Sequence, residues 1–156
     1  MIIRRAEQKD IDGILKLLRQ VLEIHAKIRP DLFVSGTTKY SEEQLKEMFL
    51  DDARPVFVAA GESDEVLGYA FCVFQEQPAT PYMNQFKTLY IDDLCVDQNV
   101  RGQHIGKSLF EYVKGFAKEA GCYDITLNVW TGNDSARTFY ENMGMFAKET
   151  QMEFIL

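Results

Sequence analysis

The chain has 156 residues, 46% of them hydrophobic and 26% charged, an ordinary globular composition and enough length for one domain, residues 1–156, with a real core. Lys and Arg number 17 against 24 Asp and Glu, a net charge of -7, which argues against nucleic acid as a partner and leaves any anionic ligand to be held by a local basic patch. Cys72, Cys95 and Cys122 form no C-x-x-C pair, the start shows no signal peptide, and the longest apolar run (Tyr69–Phe74) is far too short for a bilayer, so the expectation is a cytoplasmic protein with reduced thiols and no membrane contact.

Met1–Arg4 reads as a short first strand. Lys9–Leu22 is predicted as a helix, with Ile11, Ile14, Leu15, Leu18, Val21 and Leu22 on one face. Glu23–Tyr40 is predicted to be irregular, with Pro30 blocking helix continuation and His25 placed in a structural role. Ser41 and Gln44 form a capping-box pattern for a helix to about Leu50. Val56–Ala60 and Val66–Gln75 read as a strand pair about the polar turn Gly61–Glu65. A proline-bearing loop, Glu76–Gln85, leads to a strand over Lys87–Val96. Ile105–Ala120 repeats apolar residues at helical spacing and stops at Gly121. Asp124–Trp130 reads as a strand in which Trp130 packs in the core. Asn133–Met143 reads as a helix with Ala136, Phe139, Tyr140 and Met143 inward, and Met145–Leu156 as one or two final strands. The order is β-α-α-β-β-β-α-β-α-β.

The stretch Asp97–Phe110, DQNVRGQHIGKSLF, joins a strand to a helix through a basic, glycine-bearing turn. The first N–H groups of a helix lack intrahelical partners and carry partial positive charge, so such a turn can cradle phosphate. Arg101 and Lys107 add full charges, and Gly102 and Gly106 permit close backbone approach. The P-loop pattern fails, because Arg101 stands where its first glycine belongs, and the dinucleotide pattern G-x-G-x-x-G is absent. With Leu94-x-Val96 before it, Arg101-Gly102-Gln103-His104-Ile105-Gly106 resembles the acyl-CoA-binding motif of the GNAT family of N-acetyltransferases; His104 departs from it, standing where the family usually has a glycine. A second signature, Asn133-x-x-Ala136-x-x-Phe139-Tyr140-x-x-x-Gly144-Met145, is similar to the family's other conserved-type motif, and the resemblance extends over nearly the whole chain.

The resemblance implies a single-domain α/β (α+β) fold, a mixed, twisted sheet of six to seven strands flanked by about four helices, whose fourth and fifth strands splay apart to admit acetyl-CoA. It implies that Leu94, Cys95 and Val96 lie beside the acyl group, with a backbone N–H polarising its carbonyl. Arg101, Gly102, Gln103, His104, Ile105, Gly106, Lys107 and Ser108 would hold the pyrophosphate. Asn133 and Ala136 would contact the pantetheine arm, and Tyr140 would face the sulfur. Amine attack on a thioester expels a thiolate, and a neutral phenol can share its proton with the departing sulfur.

Asp92 and Asp93 interrupt a strand that should be central, where unpaired carboxylates are costly. One of them is expected to serve as general base toward the amine, directly or through water, while the other pairs with a cation or caps a bulge; the alternative is that both are structural ion-pair or bulge residues. Cys95 is expected to be a buried small residue rather than an acyl carrier. The two histidines have no ligand spacing, so no metal is expected. The implied reaction is direct transfer of acetyl from acetyl-CoA to a primary amine, a small molecule or a protein amino group, and homodimers are common in the family. The alternative is a non-catalytic acyl-CoA-binding module with a regulatory role.

Overall fold

The computed structural model describes all of residues 1–156. Five strands form one sheet in chain order: β1 (Ile2–Arg5), β2 (Val56–Ala60), β3 (Val66–Gln77), β4 (Phe86–Val96) and β5 (Asp124–Leu127). β1 to β4 run antiparallel as a meander, and β5 joins β4 in parallel. The four helices are α1 (Ile11–Ile28), α2 (Glu42–Phe49), α3 (Ile105–Glu119) and α4 (Asp134–Asn142).

Both faces of the sheet are covered, which is why β2 is apolar at every position and fully buried. Val56 and Val58 point into one core with Ile14, Leu17 and Leu18 of α1 and Leu45 and Met48 of α2. Phe57 and Ala59 point into the other, with Ile105, Leu109, Phe110 and Val113 of α3. Phe139, Tyr140 and Met143 of α4 pack at the margin of this second core, half-buried rather than enclosed. Ser41 and Gln44 form the expected capping box on α2. Gly68 fixes how closely β3 approaches β4, because a Cβ there would lie 2.8 Å from the carbonyl oxygen of Cys95.

The helix α1 runs past Leu22 to Ile28 before Pro30 ends it, because Ala26 still has core to bury. The strand β5 stops at Leu127, short of Trp130, since only Thr88–Ile91 of β4 pair with it. The six to seven strands expected are five: Met145–Leu156 forms no strand and joins no sheet. No residue from 146 to 156 takes part in a backbone hydrogen bond. No helix is long and apolar enough to cross a membrane.

Candidate active site

The site begins with a fault in β4. Phe71 pairs with Asp93 and Cys72 with Ile91, so Asp92 is an extra residue and the register shifts there. A bulge of this kind bends its strand and turns two successive side chains toward one side. Beyond Ile91, β4 has no partner in β5, and the two strands part. A broad, open cleft begins at this parting, bordered by Asp92–Val96, Arg101, Gly102, Asn133, Ala136, Tyr140 and part of the tail.

Because of the bulge, both carboxylates find partners toward the α1–α2 side instead of facing opposite ways as in a regular strand. Asp92 accepts from the Tyr40 hydroxyl at 2.5 Å and from Lys39 Nζ at 3.0 Å. Asp93 accepts from the Tyr69 hydroxyl at 2.7 Å. Burial raises the Asp93 pKa to about 6, against the lowering effect of the Tyr69 hydrogen bond. Burial and the neighbouring Asp92 raise Tyr40 as well, so its phenol stays protonated.

Tyr140 lies on α4 with its ring 5.1 Å from Phe139 and 6.3 Å from Phe110. Its hydroxyl makes no hydrogen bond within the chain. Burial first, then the Asp93 charge, push its pKa well above the usual tyrosine value. Cys95 is buried and its thiol is pushed up to about 12 by burial and by Asp93, so it holds its proton at neutral pH.

The turn before α3 is pinned from beneath. Asp97 accepts from Lys16 Nζ at 3.1 Å, Gln20 Nε2 at 3.4 Å and the Asn99 backbone N–H at 3.0 Å, and the Asn99 N–H leads in holding its carboxyl below the usual range. From Arg101 to Lys107 no backbone N–H has an acceptor in the chain. Gly102 has φ +85° and His104 φ 61°, both left-handed. A glycine adopts that conformation freely; a histidine adopts it at a cost, and His is among the few residues that do so with some frequency. The Cβ of His104 therefore leaves the turn intact. Gly106 sits against Phe139, whose ring would be 3.4 Å from an added Cβ.

These N–H groups, with the exposed Arg101 and Lys107, suit a diphosphate, so the residues present fit the CoA end of an acyl-CoA. Asn133 caps α4, its Oδ1 accepting from the Ala136 N–H at 3.4 Å, which leaves its Nδ2 free toward the cleft. Ala136 is half-buried on the same wall, and Ile105 is a core residue that can offer only backbone. Gln103 is exposed and Ser108 half-buried, and neither lines the cleft.

On the opposite wall the structure adds residues with no sequence motif. Phe33 packs on His25 at 5.2 Å and edge-on to Trp130 at 5.5 Å, and the Arg29 guanidinium lies 5.8 Å from the Trp130 ring. Trp130 is 38% exposed and lines the cleft instead of filling the core. His25 is half-buried, and burial together with Lys39 lowers its pKa. No group of three or more His, Cys, Asp or Glu is placed to hold a metal ion.

Comparison with known proteins agrees with this geometry. The sequence matches the model of the Acetyltransferase (GNAT) family over residues 18–145. It is 26% identical to a thialysine N-epsilon-acetyltransferase from Bos taurus, over 92% of this chain and 83% of that protein. It is 28% identical to the peptidyl-lysine N-acetyltransferase YjaB of Salmonella typhimurium, over 91% of this chain and 81% of that one. A crystal structure of a mutant of the BH1408 protein from Bacillus halodurans is 34% identical and superposes with a TM-score of 0.96, covering 100% of this chain and 99% of that one.

Proposed function

Because the chain belongs to the GNAT family of acetyltransferases, we propose that this N-acetyltransferase moves acetyl from acetyl-CoA directly to a primary amine, with both substrates bound in the cleft between β4 and β5. One observation carries this reading: the unpaired amides of Arg101–Lys107, Tyr140 and Asp93 border one cleft, which opens where β4 parts from β5 beyond Ile91. Acetyl-CoA, when bound, supplies an activated thioester.

The chain's own part divides by wall. The amides of Arg101–Lys107, with the Arg101 and Lys107 charges, hold the pyrophosphate, and Asn133 Nδ2 donates to the arm. The edge of β4 over Leu94–Val96 has no β5 partner, so an N–H there is free to polarise the acyl carbonyl. Asp93, with a pKa of about 6, is ionised at neutral pH and takes the proton from the amine. Asp92, already paired with Lys39 and Tyr40, orients the ammonium form on arrival. Tyr140, held protonated, donates to the departing sulfur. The high pKa of Cys95 removes the thiolate that an acyl-enzyme route would need, which supports direct transfer.

The carboxylates, the aromatic wall and the net charge of -7 favour a cationic acceptor, either a small amine or a lysine side chain. Three unpaired cysteines suit a reducing, cytoplasmic setting. Calorimetric titration with acetyl-CoA, followed by thiol release across a panel of amines, tests the proposal. Binding with release for one amine class supports it. Binding without release from any amine favours the regulatory module, and no binding overturns the CoA reading.

A further inference from the structure

Four lysines border the cleft, Lys27, Lys39, Lys107 and Lys148, and only Lys39 is ion-paired with a carboxylate of the β4 bulge. Its Nζ lies 3.0 Å from Asp92 Oδ1, and it is close enough to Asp93 for its charge to favour the ionised carboxyl. Lys148 is held instead by Asp124 at the start of β5, and Lys107 stands on α3 beside the phosphate turn. A primary amine of this chain therefore sits beside the two carboxylates that the proposed reaction assigns to its acceptor.

The backbone around Lys39 is anchored while its side chain is not. Tyr40 stacks on Phe71 with ring centroids 5.4 Å apart, and its hydroxyl donates to Asp92. Thr38 Oγ1 donates to the Tyr40 carbonyl at 2.9 Å, and Ser41 caps α2. Between these anchors the Lys39 side chain is 44% exposed. An ion pair this open to water is weak, so the ammonium leaves Asp92 and returns readily. On its flexible four-carbon stem Nζ sweeps the cleft in front of β4, at an effective concentration far above that of a dilute free amine.

We propose that the enzyme acetylates its own Lys39, within one chain, when acetyl-CoA is bound and no other acceptor fills the cleft. The inference rests on the acetyl-transfer reading above. One ammonium proton passes to water. The neutral Nζ attacks the acetyl carbonyl carbon; the N–C bond forms and the C–S bond breaks. Asp93 takes the second nitrogen proton, Tyr140 gives one to the departing sulfur, and water carries the proton from Asp93 back to Tyr140. The products are Nε-acetyl-Lys39 and the CoA thiol. The new amide has no charge, so Asp92 loses its ion-pair partner. The event happens once per chain, unlike the turnover of a free amine.

The test is to incubate the full chain with acetyl-CoA and no amine, and to follow its intact mass. One acetyl group, a gain of about 42 Da, is expected, with peptide mapping placing it on Lys39. The rate per chain should not change on dilution of the protein. Lys39→Arg keeps a cation for Asp92 and should lose the label. Tyr140→Phe should slow labelling about 10²-fold, whereas purely chemical acetylation would not notice it. A chain that binds acetyl-CoA and acetylates a free amine but gains no mass would overturn this proposal alone. So would label spread evenly over the lysines, a rate per chain that rises with protein concentration, or labelling indifferent to Tyr140→Phe. A chain that binds no acetyl-CoA in calorimetry would overturn it together with the acetyl-transfer reading.

Discussion

Tyr140 keeps a hydroxyl with no partner in a half-buried position beside Asp93, and Asp93 keeps a carboxyl that titrates near neutrality; the proposed reaction needs one proton donor and one acceptor, and these two side chains differ in the required sense. Tyr140→Phe should hold acetyl-CoA affinity within a few-fold and lower kcat by about 10²-fold, read from steady-state rates under conditions where chemistry limits. For Asp93 the sign is fixed by its raised pKa. As a base it must be ionised, so kcat/KM should climb as pH rises through about 6, and Asp93→Asn should abolish that limb. Its stability effect runs the other way. An unfolded carboxyl titrates near 3.8, so between there and about 6 the folded chain holds the extra proton, and the contribution of Asp93 to stability falls as pH rises. Urea titrations across this range should show the slope in wild type and lose it in Asp93→Asn. Arg101→Ala should weaken acetyl-CoA binding, and the loss should be larger at low salt, where an exposed charge is least screened.

Among the elements, β4 carries the site and depends on its contact with β3. Gly68→Ala would press a methyl against the Cys95 carbonyl at 2.8 Å and Leu109 at 3.0 Å. Backbone cannot step aside, so the variant should lose about 1–3 kcal/mol of stability in chemical denaturation and lose activity with it. The sequence shows the turn before α3 plainly, because Arg101, Gly102 and Lys107 follow an apolar strand and precede a periodic helix. It shows the oddity of Asp92–Asp93 but not its resolution, since a bulge is a mismatch between two strands and is written in neither alone. Tyr40, Lys39, Phe33 and Arg29 were hidden for a related reason. Arg29, Phe33 and Lys39 reach the cleft, and Tyr40 reaches Asp92, from the end of α1 and the loop after it, where no period marks one face from another. The strand expected to reach Trp130 ends at Leu127, because Asn128–Trp130 has no neighbour in β4 to pair with.

For the whole molecule, a ligand that binds only the folded chain must raise its melting temperature. Acetyl-CoA at 100 times its Kd adds about 2.7 kcal/mol, a rise of roughly 5–10 °C for a chain of this size. ATP should give none, because the turn before α3 lacks the P-loop spacing; scanning calorimetry distinguishes the two. The order of the sheet has one more consequence. Strands β1 to β4 neighbour one another in the order in which they are made, and their pairings with α1 and α2 lie wholly within the first 96 residues. The β2–β3 and β3–β4 turns are short, β1 and β2 are joined through α1 and α2, and only the sheet face that meets α3 waits for downstream residues. On the ribosome, β1 to β4 can therefore begin to pair over α1 and α2 before α3 arrives to cover the second face. The bulge with its two aspartates is set first, and Tyr140 is delivered last, so the nascent chain has its base long before it has its acid.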